Sequence, residues 1–92
     1  MFYVYVLRSI KYNRFYTGST DNLEKRLKEH NSGKTKSIKA FIPWEIIYKE
    51  EYLTREEAVM REKYLKSGFG REFLYKIKIN APVAQQDRAT VS

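Results

Sequence analysis

The sequence predicts an α/β domain of the α+β kind, in which helices flank a three-stranded, mainly antiparallel sheet in the order β-β-α-β-α-α. Two β-rich runs lie close together near the N-terminus, and two later segments begin with polar residues typical of helix N-termini. Ninety-two residues provide enough chain for one hydrophobic core. We therefore expect one domain over residues 1–80, followed by a loosely ordered tail over residues 81–92.

The first two runs predict a β-hairpin. Residues 2–8 are almost all β-branched or aromatic, and residues 14–19 form a second short run after a polar connection. Gly18 lies in the second run, where glycine is disfavoured. Such a glycine indicates a bulge or a close approach by another backbone or a ligand, so phosphate access at this point is plausible.

The first helix is predicted over residues 21–32. Asp21 and Glu24 resemble a capping box, apolar residues then recur at helical spacing, and Gly33 offers a left-handed stop. Residues 34–40 contain three lysines and no acid, which indicates a basic loop that could touch phosphates.

The second half predicts a strand and two helices. Residues 44–48, after Pro43, are rich in β-formers and indicate a third strand that ends in an acidic stretch. Thr54 and Glu57 fit a capping box for a helix that runs to about Ser67, with Gly68 as its stop. The following segment, residues 71–79, fits both a strand and a helical stripe, and we expect a short helix.

Charge indicates a polyanionic partner. The net charge is +7, and residues 1–39 hold nine basic and three acidic residues, against five and six in residues 40–69. A one-sided basic surface suits phosphate-backbone binding, although basic charge can also serve solubility alone. The absence of cysteine excludes disulfides, thiolate zinc sites and a cysteine nucleophile. The longest apolar run, residues 2–7, is too short to span a bilayer, so we expect a cytoplasmic protein without a membrane partner.

Individual polar residues admit two interpretations each. Glu62 interrupts an apolar stripe formed with Ala58 and Leu65, and it either binds a metal or pairs with Arg or Tyr at the edge of the stripe. Arg26 and His30 are helical neighbours that could act on a phosphate and a hydroxyl. They could equally be a solvated guanidinium and a histidine that interacts with the helix dipole.

Taken together, these residues resemble the GIY-YIG nuclease superfamily. Residues 4–6 (Val-Tyr-Val) and 16–18 (Tyr-Thr-Gly) are followed by Arg26 and His30 on one helix and a Glu on a later helix. The similarity covers residues 2–80 and is closest to the small stand-alone members, with Tyr-Thr-Gly-Ser before the helix and Arg-Glu-Lys around the acid.

The resemblance implies that the chain hydrolyses a phosphodiester with one divalent cation, Mg²⁺ or Mn²⁺, held chiefly by Glu62. Tyr5 would serve as general base or orient the attacking water, and Tyr16 would complete that network. Arg26 would contact the scissile phosphate, and His30 would position or help deprotonate a tyrosine hydroxyl. Because a phenol has a pKa near 10, we expect neighbouring Arg, His or metal charge to lower the proton affinity of this tyrosine.

Two positions depart from the family pattern, since Val4 replaces the first Gly and Thr17 replaces the middle Ile. A C-terminal Asn of the family can be matched to Asn80, and a basic loop residue to Lys39. We expect further nucleic-acid contacts from the flanking basic residues Arg14, Lys34, Lys36 and Lys39.

The predicted partner is DNA, with RNA left open, in a protein that is a monomer or a weak homodimer and acts on repair or recombination intermediates. One alternative is a nucleic-acid-binding module that cuts little or nothing. Another is a structural protein whose basic patch binds an acidic partner protein.

Overall fold

The elements follow the chain in the predicted order β-β-α-β-α-α. A computed structural model describes residues 1–34 and 38–79, so the expectations for Lys36, Asn80 and the tail over residues 81–92 lie outside the described residues. In chain order the elements are β1 (Phe2–Ser9), β2 (Phe15–Thr20), α1 (Leu23–Asn31), a 3₁₀ turn (Lys39–Phe41), β3 (Trp44–Tyr52), α2 (Arg55–Lys66) and α3 (Arg71–Ile79).

The sheet has the order β2-β1-β3, and both of its pairings are antiparallel, as predicted. β1 is therefore the central strand, which explains why its middle is continuously apolar. In the register of the hairpin, Tyr5 lies directly opposite Gly18. The register is irregular between Val6 and Leu7, on the side where β1 pairs with β3.

Side chains of β1 alternate between two cores on opposite faces of the sheet. The α2–α3 face contains the buried residues Val4, Val6, Ala58, Leu65 and Leu74. The α1 face contains the buried residues Tyr5, Leu7, Ile38 and Trp44, with Leu23 and Leu27 of α1 packed against them. α2 therefore packs on β1 and β2 from one face, whereas α1 lies on the other face and has its main sheet contacts with β3.

The start of α1 differs from the prediction, whereas its end agrees. The N-cap is Asn22, in extended conformation, and its Oδ1 accepts a hydrogen bond from the amide of Lys25 at 3.1 Å. The predicted capping box of Asp21 and Glu24 is wrong, because Asn22 satisfies the free amide one residue later. Gly33 has φ +85°, which confirms the left-handed stop.

The capping box that starts α2 is confirmed, since Thr54 and Glu57 bond each other's backbone amides. The predicted role of Gly68 is wrong. The helix ends at Ser67, which turns to an extended backbone and donates its hydroxyl to the carbonyl of Tyr64 at 2.6 Å. Gly33, by contrast, has the positive φ that a left-handed stop requires.

Residues 71–79 form the predicted helix α3, which buries Leu74 against α2. A Cβ on Gly70 would collide with the backbone of Tyr64 and Leu65, so this glycine allows α3 to begin in contact with the end of α2. Over the described residues, no helix has the length and apolarity needed to cross a bilayer.

Candidate active site

Tyr5 and His30 form a buried pair between the sheet and α1. The Tyr5 hydroxyl lies 3.0 Å from Nε2 of His30. The phenol is 1% exposed and the imidazole is 0% exposed. α1 runs back along the sheet after β2, and this direction brings a residue near its C-terminus over the centre of β1. His30, for which the sequence left two interpretations, is therefore bonded to a hydroxyl inside the core.

Burial sets the protonation states of this pair. Burial, assisted by the positive charge of Arg26, lowers the pKa of His30, so the imidazole is neutral near pH 7. Burial raises the pKa of Tyr5 to about 12, although the Arg26 guanidinium opposes the change. The Arg26 charge lowers the proton affinity of Tyr5 as expected, but desolvation of the phenolate outweighs it, so the net pKa is raised.

Gly18 makes room for the Tyr5 phenol. A Cβ at this position would lie 2.7 Å from the Tyr5 hydroxyl oxygen and 3.0 Å from Cε2 of Tyr16. Gly18 thus marks a close approach, which was one of the two interpretations of the sequence. The group that approaches it is the Tyr5 side chain from the neighbouring strand β1. The irregular register is elsewhere, between β1 and β3.

Tyr16 completes an aromatic cluster, which we define as Tyr5, Tyr16 and His30. Its ring centroid lies 4.9 Å from that of His30 and 6.2 Å from that of Tyr5. Tyr16 and Gly18 are two residues apart on β2, so they share the α1 face with Tyr5. The family-matched tyrosines are therefore neighbours in space, eleven residues apart in the chain.

Arg26 lies one turn before His30 on α1 and stays partly exposed. Its guanidinium donates to Glu29 at 3.0 Å, and 39% of the side chain is accessible. The neighbouring Tyr5 phenol, more than any other group, raises the pKa of Arg26. Arg26 and Glu29 line an open cleft of about 240 Å³, together with Ser19, Thr20, Asp21, Asn22, Lys25 and Arg55. A permanent cation thus faces solvent beside the buried pair.

Glu62 approaches β2 from the opposite face of the sheet. Its Oε1 accepts a hydrogen bond from the Ser19 hydroxyl at 2.6 Å, and its Oε2 pairs with Nζ of Lys66 at 2.6 Å. The same Lys66 ammonium lies 6.0 Å from the centroid of the Tyr16 ring. The carboxylate is also close enough to Tyr5 for its charge to contribute to the raised pKa of that phenol. The charge of Glu62 therefore acts on Tyr5 through space, while the carboxylate itself bonds Ser19 and Lys66.

The oxygen atoms at Glu62 fit a hard cation that keeps most of its water. The Glu62 side chain is 20% exposed, and its carboxylate bonds the Ser19 hydroxyl. Mg²⁺ is commonly bound through one or two carboxylates plus waters and substrate phosphates. Over residues 1–34 and 38–79, no group of three or more His, Cys, Asp or Glu side chains forms a metal cluster. A divalent ion at this site would thus depend on Glu62 and would displace Lys66.

The predicted phosphate contacts are scattered. Arg14 lies over the ring of Phe41, with its guanidinium carbon 5.0 Å from the ring centroid, and the neighbouring turn carries the exposed Lys39. Lys34 is also exposed. Arg14 and the turn that carries Lys39 therefore lie at the loop end of the hairpin, and within the described residues neither has a recorded contact with the aromatic cluster, Arg26 or Glu62.

Sequence reasoning missed Ser19 and Lys66 as partners of Glu62. Ser19 was visible as the last residue of Tyr-Thr-Gly-Ser, and its odd position along β2 places it on the α2 face. Lys66 was visible at i+4 from Glu62, a spacing that permits a helical ion pair.

Comparisons with known proteins show what this chain is similar to. Residues 1–76 match the family model described as the GIY-YIG catalytic domain. A UPF0213 protein of Bacillus licheniformis is 45% identical over 65 residues, which make up 70% of this chain and 66% of that protein. A UPF0213 protein of Clostridium perfringens is 43% identical over 67 residues, 72% of this chain and 71% of that protein. The chain thus spans about two thirds of the length of these relatives.

A solved structure has the same fold. The solution NMR structure of a UPF0213 protein from Bacillus halodurans superposes with a TM-score of 0.54 at 27% sequence identity, and all of both chains is covered.

Proposed function

Since this chain belongs to the GIY-YIG catalytic-domain family, we propose that it is a divalent-metal-dependent endonuclease that hydrolyses phosphodiester bonds in DNA. The family suggests a nuclease with a nucleic-acid substrate. The observation that supports the proposal best is the approach of the Tyr5–His30 pair, the Arg26 cation and the Glu62 carboxylate to the exposed edge of β2.

The Tyr5–His30 pair suits proton transfer from an attacking water. A phenol with a pKa of about 12 is a poor base while it keeps its own proton. In the tautomer that carries its proton on Nδ1, the neutral imidazole would accept the phenolic proton at Nε2 across the 3.0 Å contact. Tyr5 can then take a proton from water as it passes its own proton to His30. The water loses one proton, the imidazole gains one, and the phenol is unchanged.

Arg26 has the charge and the exposure needed to bind the scissile phosphate. Its charge persists at any working pH, and the open cleft gives a phosphate access to it. Its bond to Glu29 would be exchanged for a charge-assisted bond to phosphate oxygens, which strengthens as negative charge develops. Tyr16 packs beside His30 and shields the proton path from bulk water.

Glu62 would hold the cation, Mg²⁺ or Mn²⁺, and the Ser19 hydroxyl would orient the carboxylate. When bound, the cation would polarise a phosphate oxygen and neutralise charge on the leaving side. Lys66 would have to release Glu62, and its ammonium would then be available to a phosphate.

Cleavage of supercoiled plasmid in the presence of Mg²⁺ tests the proposal. Glu62→Gln and Tyr5→Phe should each reduce the nicking rate by about 10²-fold or more, because each removes one catalytic group. Glu56→Gln and Tyr75→Phe are matched controls on exposed helix positions and should cut like wild type. Chelation of divalent ions should stop cleavage, and added Mg²⁺ or Mn²⁺ should restore it. Equal nicking by wild type and Glu62→Gln would exclude this mechanism.

A nucleic-acid-binding module with little or no activity is the second candidate. Two observations favour it, the lysine that occupies one oxygen of Glu62 and the high pKa of Tyr5. This candidate predicts salt-sensitive DNA binding without nicking under any divalent condition. Parallel assays on branched DNA, single-stranded DNA and RNA would determine the preferred substrate and test a role in repair or recombination.

A further inference from the structure

The outer edge of β2 is free of strand pairing within the described part of the chain. β2 pairs with β1 on one side, and no described strand lies on its other side. An exposed sheet edge usually carries charged side chains or is covered by another group. The side chains at the free edge of β2 therefore indicate which kind of ligand this edge can bind.

Cations from α2 and α3 lie along this edge, and we define Arg55, Lys66 and Lys78 as the edge row. Arg55 lies 4.0 Å from the carboxylate of Asp21, just beyond the last residue of β2. Farther along, Lys66 lies 6.0 Å from the ring centroid of Tyr16, and Lys78 lies 4.8 Å from that of Phe15. The row thus follows β2 from one end to the other.

The position of the Lys66 side chain shows that the edge row lies at the free edge of β2. α2 packs on the face of the sheet that contains Val4 and Val6, whereas Tyr16 belongs to the core on the α1 face. An α2 side chain reaches a ring on the other face by passing around the free edge of β2. Its ammonium therefore lies where a ligand crossing the edge would meet it.

The charge of the row is weakly neutralised. The side chains of Arg55 and Asp21 are 65% and 64% exposed, and such pairs are strongly screened by water. Lys78 rests on an aromatic ring, which attracts a cation without cancelling its charge. Lys66 pairs with Glu62 and would lose that partner when a divalent ion binds there. Arg55 and Lys78 are thus available to a phosphate without a metal, and Lys66 becomes available when a divalent ion binds Glu62.

The length of the row suits a nucleic-acid strand. Six residue steps separate Phe15 from Asp21, and at about 3.3 Å per step they span about 20 Å. A duplex with a rise of about 3.4 Å per base pair places about six phosphates of one strand over that length. A line of point charges along an edge matches a phosphate backbone better than the two-dimensional contact area that a folded acidic protein presents.

We propose that Arg55, Lys66 and Lys78 bind the phosphates of the substrate strand as it runs along the free edge of β2. This inference rests on the proposed function and deepens it, because it places the strand along the edge of β2, where Arg55 lines the same cleft as Arg26. It also identifies the segment with net negative charge, residues 40–69, as a supplier of phosphate contacts.

Salt-dependent DNA binding tests the edge row. A fluorescent duplex is titrated in EDTA with wild type and with Arg55→Ala/Lys66→Ala/Lys78→Ala, over about 50 to 200 mM salt. Each lost phosphate contact should reduce the slope of log K against log salt by about 0.9. Because Lys66 stays paired with Glu62 in EDTA, the triple variant should lose about two units, from Arg55 and Lys78. Lys49→Ala, on the opposite edge strand β3, is the matched control and should keep the wild-type slope. Circular dichroism should show that each variant is folded, since the altered residues lie on the surface.

The outcomes distinguish a failure of the edge row from a failure of the proposed nuclease activity. An unchanged slope in the triple variant, or an equal loss in Lys49→Ala, overturns the edge row even when wild type cleaves DNA. A reduced slope in a protein that never cleaves supports the row and rejects the nuclease. Tight binding of poly-glutamate that duplex DNA does not displace would assign the row to an acidic protein and overturn the inference.

Discussion

The hydroxyl of Tyr5 lies 3.0 Å from Nε2 of His30, and the two side chains are 1% and 0% exposed. Because both groups are removed from water, their neutral forms are favoured together, with the phenol protonated and the imidazole uncharged. The pair therefore provides a path for a proton, because the imidazole can receive the proton that the phenol gives up.

Gly18→Ala should disrupt this pair. The added Cβ would lie 2.7 Å from the Tyr5 hydroxyl oxygen and 2.9 Å from Cζ, so the phenol or the strand must shift. We expect a loss of about 1–3 kcal/mol in the free energy of unfolding, typical of overpacking, together with a large loss of nicking. Urea denaturation and the plasmid assay would measure the two effects.

Gly68→Ala is the matched control for that change. Nothing lies within 4 Å of a Cβ at this position. We expect stability equal to wild type or higher by up to about 1 kcal/mol, since alanine restricts the unfolded chain. Equal destabilisation by both substitutions would contradict a specific role for Gly18.

Because His30 is buried, the stability of the protein should fall as the pH drops below 6.5. The pKa of His30 is lowered from 6.5, so the unfolded chain binds more protons than the folded chain below that value. Stability is therefore constant above pH 6.5 with respect to this group, and it falls as the pH drops from 6.5 towards the lower folded pKa.

NMR titration would measure this directly, because His30 is the sole histidine of the sequence. Its imidazole proton resonances should titrate below pH 6.5 in the folded protein. A midpoint above 6.5 would contradict burial as the dominant cause and would imply a stabilised imidazolium. Tyr5→Phe should leave the midpoint low, because desolvation remains.

Glu50→Gln should destabilise the opposite face of the sheet. The Glu50 carboxylate accepts hydrogen bonds from Tyr48 at 2.5 Å and Tyr52 at 2.6 Å, and it pairs with Arg61 at 2.9 Å. Burial alone would raise the pKa of Glu50, but these donors together hold it below its usual value. We expect a loss of about 1–3 kcal/mol at neutral pH by urea denaturation.

The same network determines whether the stability of the protein rises or falls as the pH is lowered. A depressed carboxyl pKa gives stability that is present above the unfolded value of 4.5 and is lost as pH falls through the folded pKa. Wild type and Glu50→Gln should therefore converge in stability at low pH. The exposed Glu51→Gln, whose pair with Lys49 is 3.8 Å long, should change stability little at any pH.

Lys66→Met should strengthen divalent binding at Glu62. The ammonium occupies Oε2 at 2.6 Å, and its loss removes both a competitor and a repulsive charge. Coulomb repulsion of about 1 kcal/mol in water corresponds to about fivefold tighter binding. Broadening of amide resonances around Ser19 and Glu62 by Mn²⁺ would report the affinity without any cleavage assay. Lys63→Met, on the same helix, should bind as wild type does.

Local patterns in the chain were enough for most of the elements. The hairpin follows from two β-rich runs, and the start of α2 follows from Thr54 and Glu57. The capping box at Asp21 and the stop at Gly68 were wrong, because several neighbouring residues could serve as the cap and local sequence does not choose among them.

The sequence by itself determined the order of strands and helices, the left-handed stop at Gly33 and the residue types that resemble a nuclease motif. These depend on interactions within a few residues. Only the tertiary structure decided that Tyr5 fits against Gly18, that Glu62 reaches the edge of β2 from the opposite face, and that Lys66 passes around it. It also decided the direction of the Tyr5 pKa, because burial depends on what packs over a side chain from distant parts of the chain.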